Sequence, residues 1–224
     1  MADDVVLAEL ISNSSPLVAR LSEEKRQRLE RLVKIFIADC TFEGAGGLVV
    51  PPQLAVQVAT QACFLLLNRA RESYGRGIHI IIYPNGISGA PDLMGRYSRL
   101  GCIELNLPDV LRGCFSDSDG CNVVMHEFAH RLDGENFFME GRPKLHTGAC
   151  HHRWKRVMET AFEQFRADVA SGMLTPLNPY AATNMAEFFA CTTEAYFETP
   201  EMLSTHYPDV YERLLHFYGA SPNR

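Results

Sequence analysis

Residues 121–136 read CNVVMHEFAHRLDGEN. His126 and His130 stand four apart, with Glu127 beside the first, in the pattern H-E-x-x-H. Positions i and i+4 share a face only in a helix, so the two imidazoles meet a common partner only if this stretch is helical. Phe128 and Leu132 give such a helix an apolar side to bury, and Gly134 is placed to stop it. SDSDG at 116–120 supplies a start signal. The fold is therefore constrained to back this helix with core and to bring further donors to its polar face.

Two imidazoles one turn apart suit zinc, which takes three protein ligands in a catalytic site and keeps one position open. Zinc lowers the pKa of water toward neutrality, and Glu127 is placed to take the proton as general base. The third ligand is not local. The extended form H-E-x-x-H-x-x-G-x-x-H fails, because Asp133 and Asn136 stand where its Gly and His belong. The region near residue 150, GACHHRW, offers no Glu; His146, His151 and His152 read as surface histidines of a loop and a helix start. The remaining source is NPYAATNMAEFFACTTEAYFE, residues 178–198, with Glu187 and Glu194 two turns apart on one face. Each also has a plain structural explanation. Asn184 and Glu187 form a variant capping box, and Asn184, Glu187, Cys191, Glu194 and Glu198 make a stripe that reads equally as a solvated face. Local pattern leaves the choice between Glu187 and Glu194 open.

Bulk composition narrows the partners. The 224 residues are 46% hydrophobic and 21% charged, ordinary for a chain with a real core. A net charge of −6 argues against nucleic acid, and the one basic run, EKRQRLERLVK, alternates with Glu like a solvated helix face. The start, MADDVVLAELISNSS, lacks a positive n-region and a long apolar core, and the longest apolar run, ACFLLL, is far too short for a bilayer. Seven cysteines, an odd count without any C-x-x-C pair, favour free thiols in a reducing cytoplasm.

Periodicity predicts a mostly helical chain. Residues 1–20 are expected to be loosely ordered. Ser22 caps a helix carrying Leu29, Leu32, Val33 and Phe36, and a second helix is expected from about Gln53 to Tyr74. GIHIIIYP reads as a strand, and 84–101, rich in Gly and Pro, as a long loop. CIELNL alternates as a half-buried strand at a sheet edge. Further helices are expected over about 151–171, with Trp154, Met158 and Phe165 inward, over about 184–198, and in the tail DVYERLLHFYG. Helices bracketing a few strands make the class α+β, with 21–224 as a single domain.

HEFAHRLD followed by NPYAATNMAEFFACTTEAYFE, together with LSEEKRQRLERLVKIFIADCTFEGAGGL, QACFLLLNR and DVLRG, resembles the Mlc titration factor A (MtfA) family of zinc peptidases. That family is similar at its metal site to the protease domain of anthrax lethal factor. The resemblance runs from about Leu17 to Tyr218. It implies a zincin-like metallopeptidase domain, mostly helical with a small sheet and an active-site helix, holding one Zn2+ per chain. It implies His126, His130 and Glu187 as ligands, Glu127 as base and Tyr180 as an assisting phenol that donates to the oxyanion. Glu194 then becomes a group that orients a ligand histidine, Asp133 either does the same or merely caps the helix end, and the strand holding Ile103, Glu104 and Leu105 is expected to pair with an extended peptide. The implied activity is aminopeptidase-like hydrolysis of peptide or protein substrates. The alternative is sequestration of a transcriptional repressor of sugar uptake, with neither nucleic acid nor membrane as a direct partner.

Overall fold

The computed structural model describes residues 2–90, 93–98, 101–136, 139–145 and 147–219; His146 lies outside them. The architecture is α+β. The chain opens with α1 (Ala2–Ser12), not with the loosely ordered start expected for 1–20. Ile11 is fully buried, and Ser15 caps a short 3-10 turn, Pro16–Arg20, that sinks Leu17 and Val18 into the core. A Pro at the first helical position and a Ser before it are the local reasons. What periodicity undervalued is that Leu7, Leu10 and Ile11 find a core to cover.

Ser22 caps α2 (Glu23–Asp39) by accepting the Lys25 N–H, and Leu29, Leu32, Val33 and Phe36 are its buried face, as their spacing predicts. β1 (Cys40–Gly44) follows. The helix expected over 53–74 is shorter: α3 covers Pro52–Phe64. Beyond it the chain tightens into i→i+3 bonds at Leu66, Leu67 and Arg69. The Arg28 guanidinium takes the carbonyls of Leu67 and Arg69 at 2.5 and 2.8 Å, so those groups are satisfied without a helical turn.

β2 (Ile78–Tyr83), β3 (Gly95–Ser98) and β4 (Cys102–Asn106) complete a four-stranded sheet in the order β1-β2-β4-β3. β1, β2 and β4 are parallel, with Ile80 opposite Phe42 on one side and Ile103 on the other. β3 is antiparallel to β4. Two expectations are corrected here. The stretch 84–101 contains a strand, and CIELNL is not an edge, because β4 is paired on both sides. Alternation signals one apolar face in either setting, so it cannot distinguish an edge from an interior strand.

α4 (Leu107–Phe115) follows β4 directly. α5 (Val123–Asp133) carries the H-E-x-x-H motif; its cap is Asn122 rather than SDSDG, with the Asn122 Oδ1 accepting the Met125 N–H at 3.0 Å. Val124, Met125, Phe128, Ala129 and Leu132 are fully buried behind it. The long α6 (Gly148–Ala170) buries Trp154, Met158 and Phe165 as predicted. α7 (Met185–Glu198), α8 (Pro200–His206) and α9 (Pro208–Tyr218) end the described fold. α7 is buried along most of its length and lies against α5, and this packing builds the centre.

Candidate metal centre

The stripe on α7 that reads as a solvated face turns toward α5, with Asn184 exposed at its start, Glu187 half-buried and Cys191, Glu194 and Glu198 buried. Glu198 lies beside the start of α5, Glu194 beside its first turn and Glu187 beside its later part, so the two helices run in opposite directions. Glu198 accepts from the Cys121 N–H and from Asn122 Nδ2, both at 3.1 Å. Glu194 accepts the Asn122 N–H at 2.5 Å through one oxygen and meets His126 Nδ1 at 2.8 Å through the other. Glu187 Oε2 lies 2.9 Å from His126 Nε2 and 3.3 Å from His130 Nε2. The two Nε2 atoms are themselves 3.1 Å apart. Asn184 caps α7 through the Glu187 backbone N–H, which leaves the Glu187 carboxylate available to the histidines. Capping and the histidine contacts therefore coexist at that position.

These atoms make a donor set for a cation. A neutral His126 that gives its Nδ1–H to Glu194 turns the Nε2 lone pair toward Glu187. Two imidazole nitrogens and a carboxylate oxygen then face one another at 2.9–3.3 Å. Ligands about 2.05 Å from a tetrahedral zinc are separated by roughly 3.3 Å, so the spacing fits that ion class. The electrostatics agree. Burial opposes charge on His126, yet Glu194, Cys191 and Glu187 raise its pKa well above the ordinary value. Burial also opposes ionisation of Glu187, but its bonds to His126 and His130 hold its pKa at about 2. The cluster favours positive charge at its centre. A second grouping, His126, Cys191 and Glu194, also has its donor atoms close together. It uses the Nδ1 side of His126 and leaves His130 out, whereas the His126–His130–Glu187 group engages both motif histidines.

Glu127 is 4% exposed, and its Oε2 has no hydrogen-bond partner among the described residues. Burial raises its pKa against the pull of His126 and His130. It borders a cavity of about 220 Å³ that is also lined by Leu93, Met94, Gly95, His126 and Tyr180. Tyr180 sits in a 3-10 turn, Pro179–Ala182, just before α7, with its ring centroid 6.2 Å from that of His126. Burial first, and then the Glu187 charge, raise its pKa, so the phenol stays protonated near neutrality. A buried carboxylate with a vacant oxygen can accept a proton, and a half-exposed phenol across the same cavity can donate one.

Four other expected positions stand apart from this cluster. Asp133 accepts the Gly141 and Arg142 N–H groups at 2.7 and 2.6 Å and so ties the following loop to the end of α5, instead of orienting a histidine. Among the described residues, His130 Nδ1 is buried without a hydrogen-bond partner. Ile103 and Leu105 point into the core at 0% exposure, and Glu104 is bound by Arg96 at 2.5 Å and Tyr83 at 2.8 Å. The strand end that reaches the cavity is Gly95 of β3. Sequence reading missed Asn122, whose N–H, Oδ1 and Nδ2 are all engaged and whose carbonyl accepts the His126 N–H at 2.9 Å. The available signal was an Asn directly ahead of the motif's apolar run, a residue type that caps as well as the Ser and Asp before it.

The sequence model of the family described as glucose-regulated metallo-peptidase M90 matches residues 4–219. The chain belongs to the M90 metallopeptidase family. Among relatives of this M90 chain, an uncharacterized protein of Synechocystis is 29% identical over 95% of the chain and 83% of its own length. Proteins named Mlc titration factor A from Cronobacter sakazakii and Edwardsiella ictaluri are 28% and 29% identical over 92% of the chain, and over 83% and 85% of their own lengths. The resemblance drawn from the motifs is thus to the right family, and a metallopeptidase family implies a metal for the donor set described above. Among the described residues, no helix is long and apolar enough to cross a membrane.

Proposed function

We propose that this M90 protein is a zinc peptidase, with His126, His130 and Glu187 as ligands and Glu127 as the base. The observation that carries this reading is the convergence of His126 Nε2, His130 Nε2 and Glu187 Oε2 within 3.3 Å, beside a buried Glu127 whose Oε2 has no partner. Bound zinc supplies Lewis acidity, acidifying water and polarising the scissile carbonyl. Glu127 takes the proton of the attacking water and returns it to the leaving amine, a task suited to a carboxylate whose basicity burial has raised. Tyr180 donates its O–H to the oxyanion as the tetrahedral carbon forms. Glu194 holds the His126 ring in register through Nδ1. The peptide backbone pairs with β3, the terminal strand of the sheet, which replaces Ile103, Glu104 and Leu105 in that role. The small cavity and the family resemblance favour short peptides cleaved in aminopeptidase-like fashion by a single domain spanning 21–224, to which α1 adds. Cys102, Cys114, Cys121, Cys150 and Cys191 are thiols rather than disulfides, which supports a cytoplasmic setting.

Glu127→Gln is the decisive variant. It retains stoichiometric zinc and loses roughly 10²–10⁴-fold in peptide hydrolysis. Wild-type turnover by that variant sinks the reading. The name of these relatives, Mlc titration factor A, together with the family resemblance, supports a second proposal, sequestration of a transcriptional repressor of sugar uptake. A repressor bound equally by wild type and Glu127→Gln, with no peptide cleaved by either, makes binding the function instead.

A further inference from the structure

A second cluster of chemistry lies where α9 meets the N-terminal end of α6. In a chain of net charge −6, Arg69, Lys144, Arg213 and His216 line one cavity of about 70 Å³. Leu145, Cys150, Trp154 and Phe217 complete its wall. Arg69 is fixed there by structure: its Nη1 donates to the Phe217 carbonyl at 3.1 Å, and its guanidinium lies 3.9 Å over the Phe217 ring. Arg213 is not accounted for in that way. It is 8% exposed, its Nη2 pairs with Glu212 at 2.6 Å, and among the described residues its buried Nε–H has no acceptor. A buried, unpaired guanidinium N–H is costly, so this group asks for an oxyanion.

The remaining charges facing the cavity leave a cationic balance. His216 Nδ1 meets the Glu212 carbonyl at 2.7 Å, which turns Nε2 to the outside. Glu212 is shared between Arg213 and the more distant Arg153. Glu135 feels the attraction of Arg69 and Lys144 without lining the cavity. The N-terminal turn of α6 reaches the wall through Cys150, adding the positive end of a 23-residue helix. A cavity of about 70 Å³ has room for a small tetrahedral oxyanion.

We propose that this cavity is an anion site that takes a phosphate-class oxyanion, with Arg213 Nε, Arg69 and Lys144 as its donors and Trp154 as part of its wall. It is separate from the metal centre and independent of the peptidase reading. Arg213 also borders a larger groove lined by Arg153, Arg156, His206 and Asp209, so placement must be tested as well as binding.

Trp154 is the chain's single tryptophan and serves as the reporter. Inorganic phosphate is titrated into the intact protein at constant ionic strength, with chloride and acetate as controls. Fluorescence and calorimetry are read in parallel. Expected is a saturable response to phosphate, with affinity lowered at least tenfold in Lys144→Ala and in Arg213→Lys and unchanged in Arg153→Ala. Lys144 is exposed, so its variant tests the site even if Arg213→Lys folds poorly. A silent result in both readouts, a response that chloride reproduces, or wild-type affinity in Lys144→Ala overturns the proposal. Loss in Arg153→Ala with retention in Lys144→Ala moves the anion to the neighbouring groove and overturns the placement.

Discussion

Gly95→Ala leaves every proposed ligand and the base in place, yet inserts a methyl group into the space they share. An ideal Cβ at Gly95 would lie 2.5 Å from Glu127 Oε1, 2.7 Å from its Cγ and 2.7 Å from Val123 Cγ2. Real Cβ contacts essentially never fall below 3.0 Å, so at least half an ångström must be found. Gly95 is not among the glycines with positive φ, so backbone strain does not enter. Glu127 and Val123 are each 4% exposed, and any yielding of the Glu127 carboxylate into the cavity it borders moves it from its place. Overpacking of this kind costs about 1–3 kcal/mol. For a chain of this size each kcal/mol lowers Tm by roughly 2–4 °C. Displacing a base by an amount on the order of 1 Å costs about 10²-fold in rate. Gly95→Ala should therefore bind a full equivalent of zinc, melt several degrees lower and lose most of its kcat on a short peptide. Thermal denaturation, metal analysis and steady-state kinetics read the three effects. A variant with wild-type Tm and wild-type kcat refutes the claim that β3 presses on Glu127.

Glu187→Ala should abolish tight zinc binding, whereas Glu194→Ala, which removes the partner of His126 Nδ1 and the acceptor of the Asn122 N–H, should weaken it about 10–100-fold; competition with a chelator measures both, and the reverse order reassigns the ligand. Asn122→Ala removes the cap of α5 and leaves the Met125 N–H without its acceptor, so a loss of about 1–3 kcal/mol is expected in denaturant unfolding. Burial first, with the neighbouring Glu194 charge, raises the Glu198 pKa to about 8. Its folded value lies above its unfolded one, so its contribution is fully present below the unfolded carboxylate range and is lost as pH rises through about 8. Unfolding followed from pH 5 to 9 should show wild type losing more stability than Glu198→Gln over that interval, and parallel curves would count against a buried, protonated Glu198.

Much of the centre was legible locally because helical geometry is local. Spacing alone puts His126 and His130 on one face of α5, and Phe128 and Leu132 behind them, since 3.6 residues per turn hold wherever the helix packs. The same rule put Glu187, Cys191, Glu194 and Glu198 in one stripe on α7. It could not say what the stripe faces. The edge position of β3, and the interior position of β4, were illegible for a related reason. Side-chain alternation reports which face of a strand is apolar, whereas a neighbour on the hydrogen-bonding side leaves no mark on side chains.

By itself, then, the amino-acid sequence determined the motif helix, its apolar backing, the two imidazoles, the adjacent Glu127 proposed as base and the pair of carboxylates offered as a third ligand. Tertiary structure alone decided which carboxylate meets which nitrogen: antiparallel packing of α7 on α5 sets Glu187 against both Nε2 atoms and Glu194 against His126 Nδ1. It also gave Asn122 and Glu198 their roles, turned Asp133 away to Gly141 and Arg142, and brought Gly95 against Glu127. The physical reason is that donors 57 to 68 residues apart are brought within hydrogen-bonding distance by burial of apolar surface elsewhere on the same helices, and that energy is indifferent to which polar atoms it aligns.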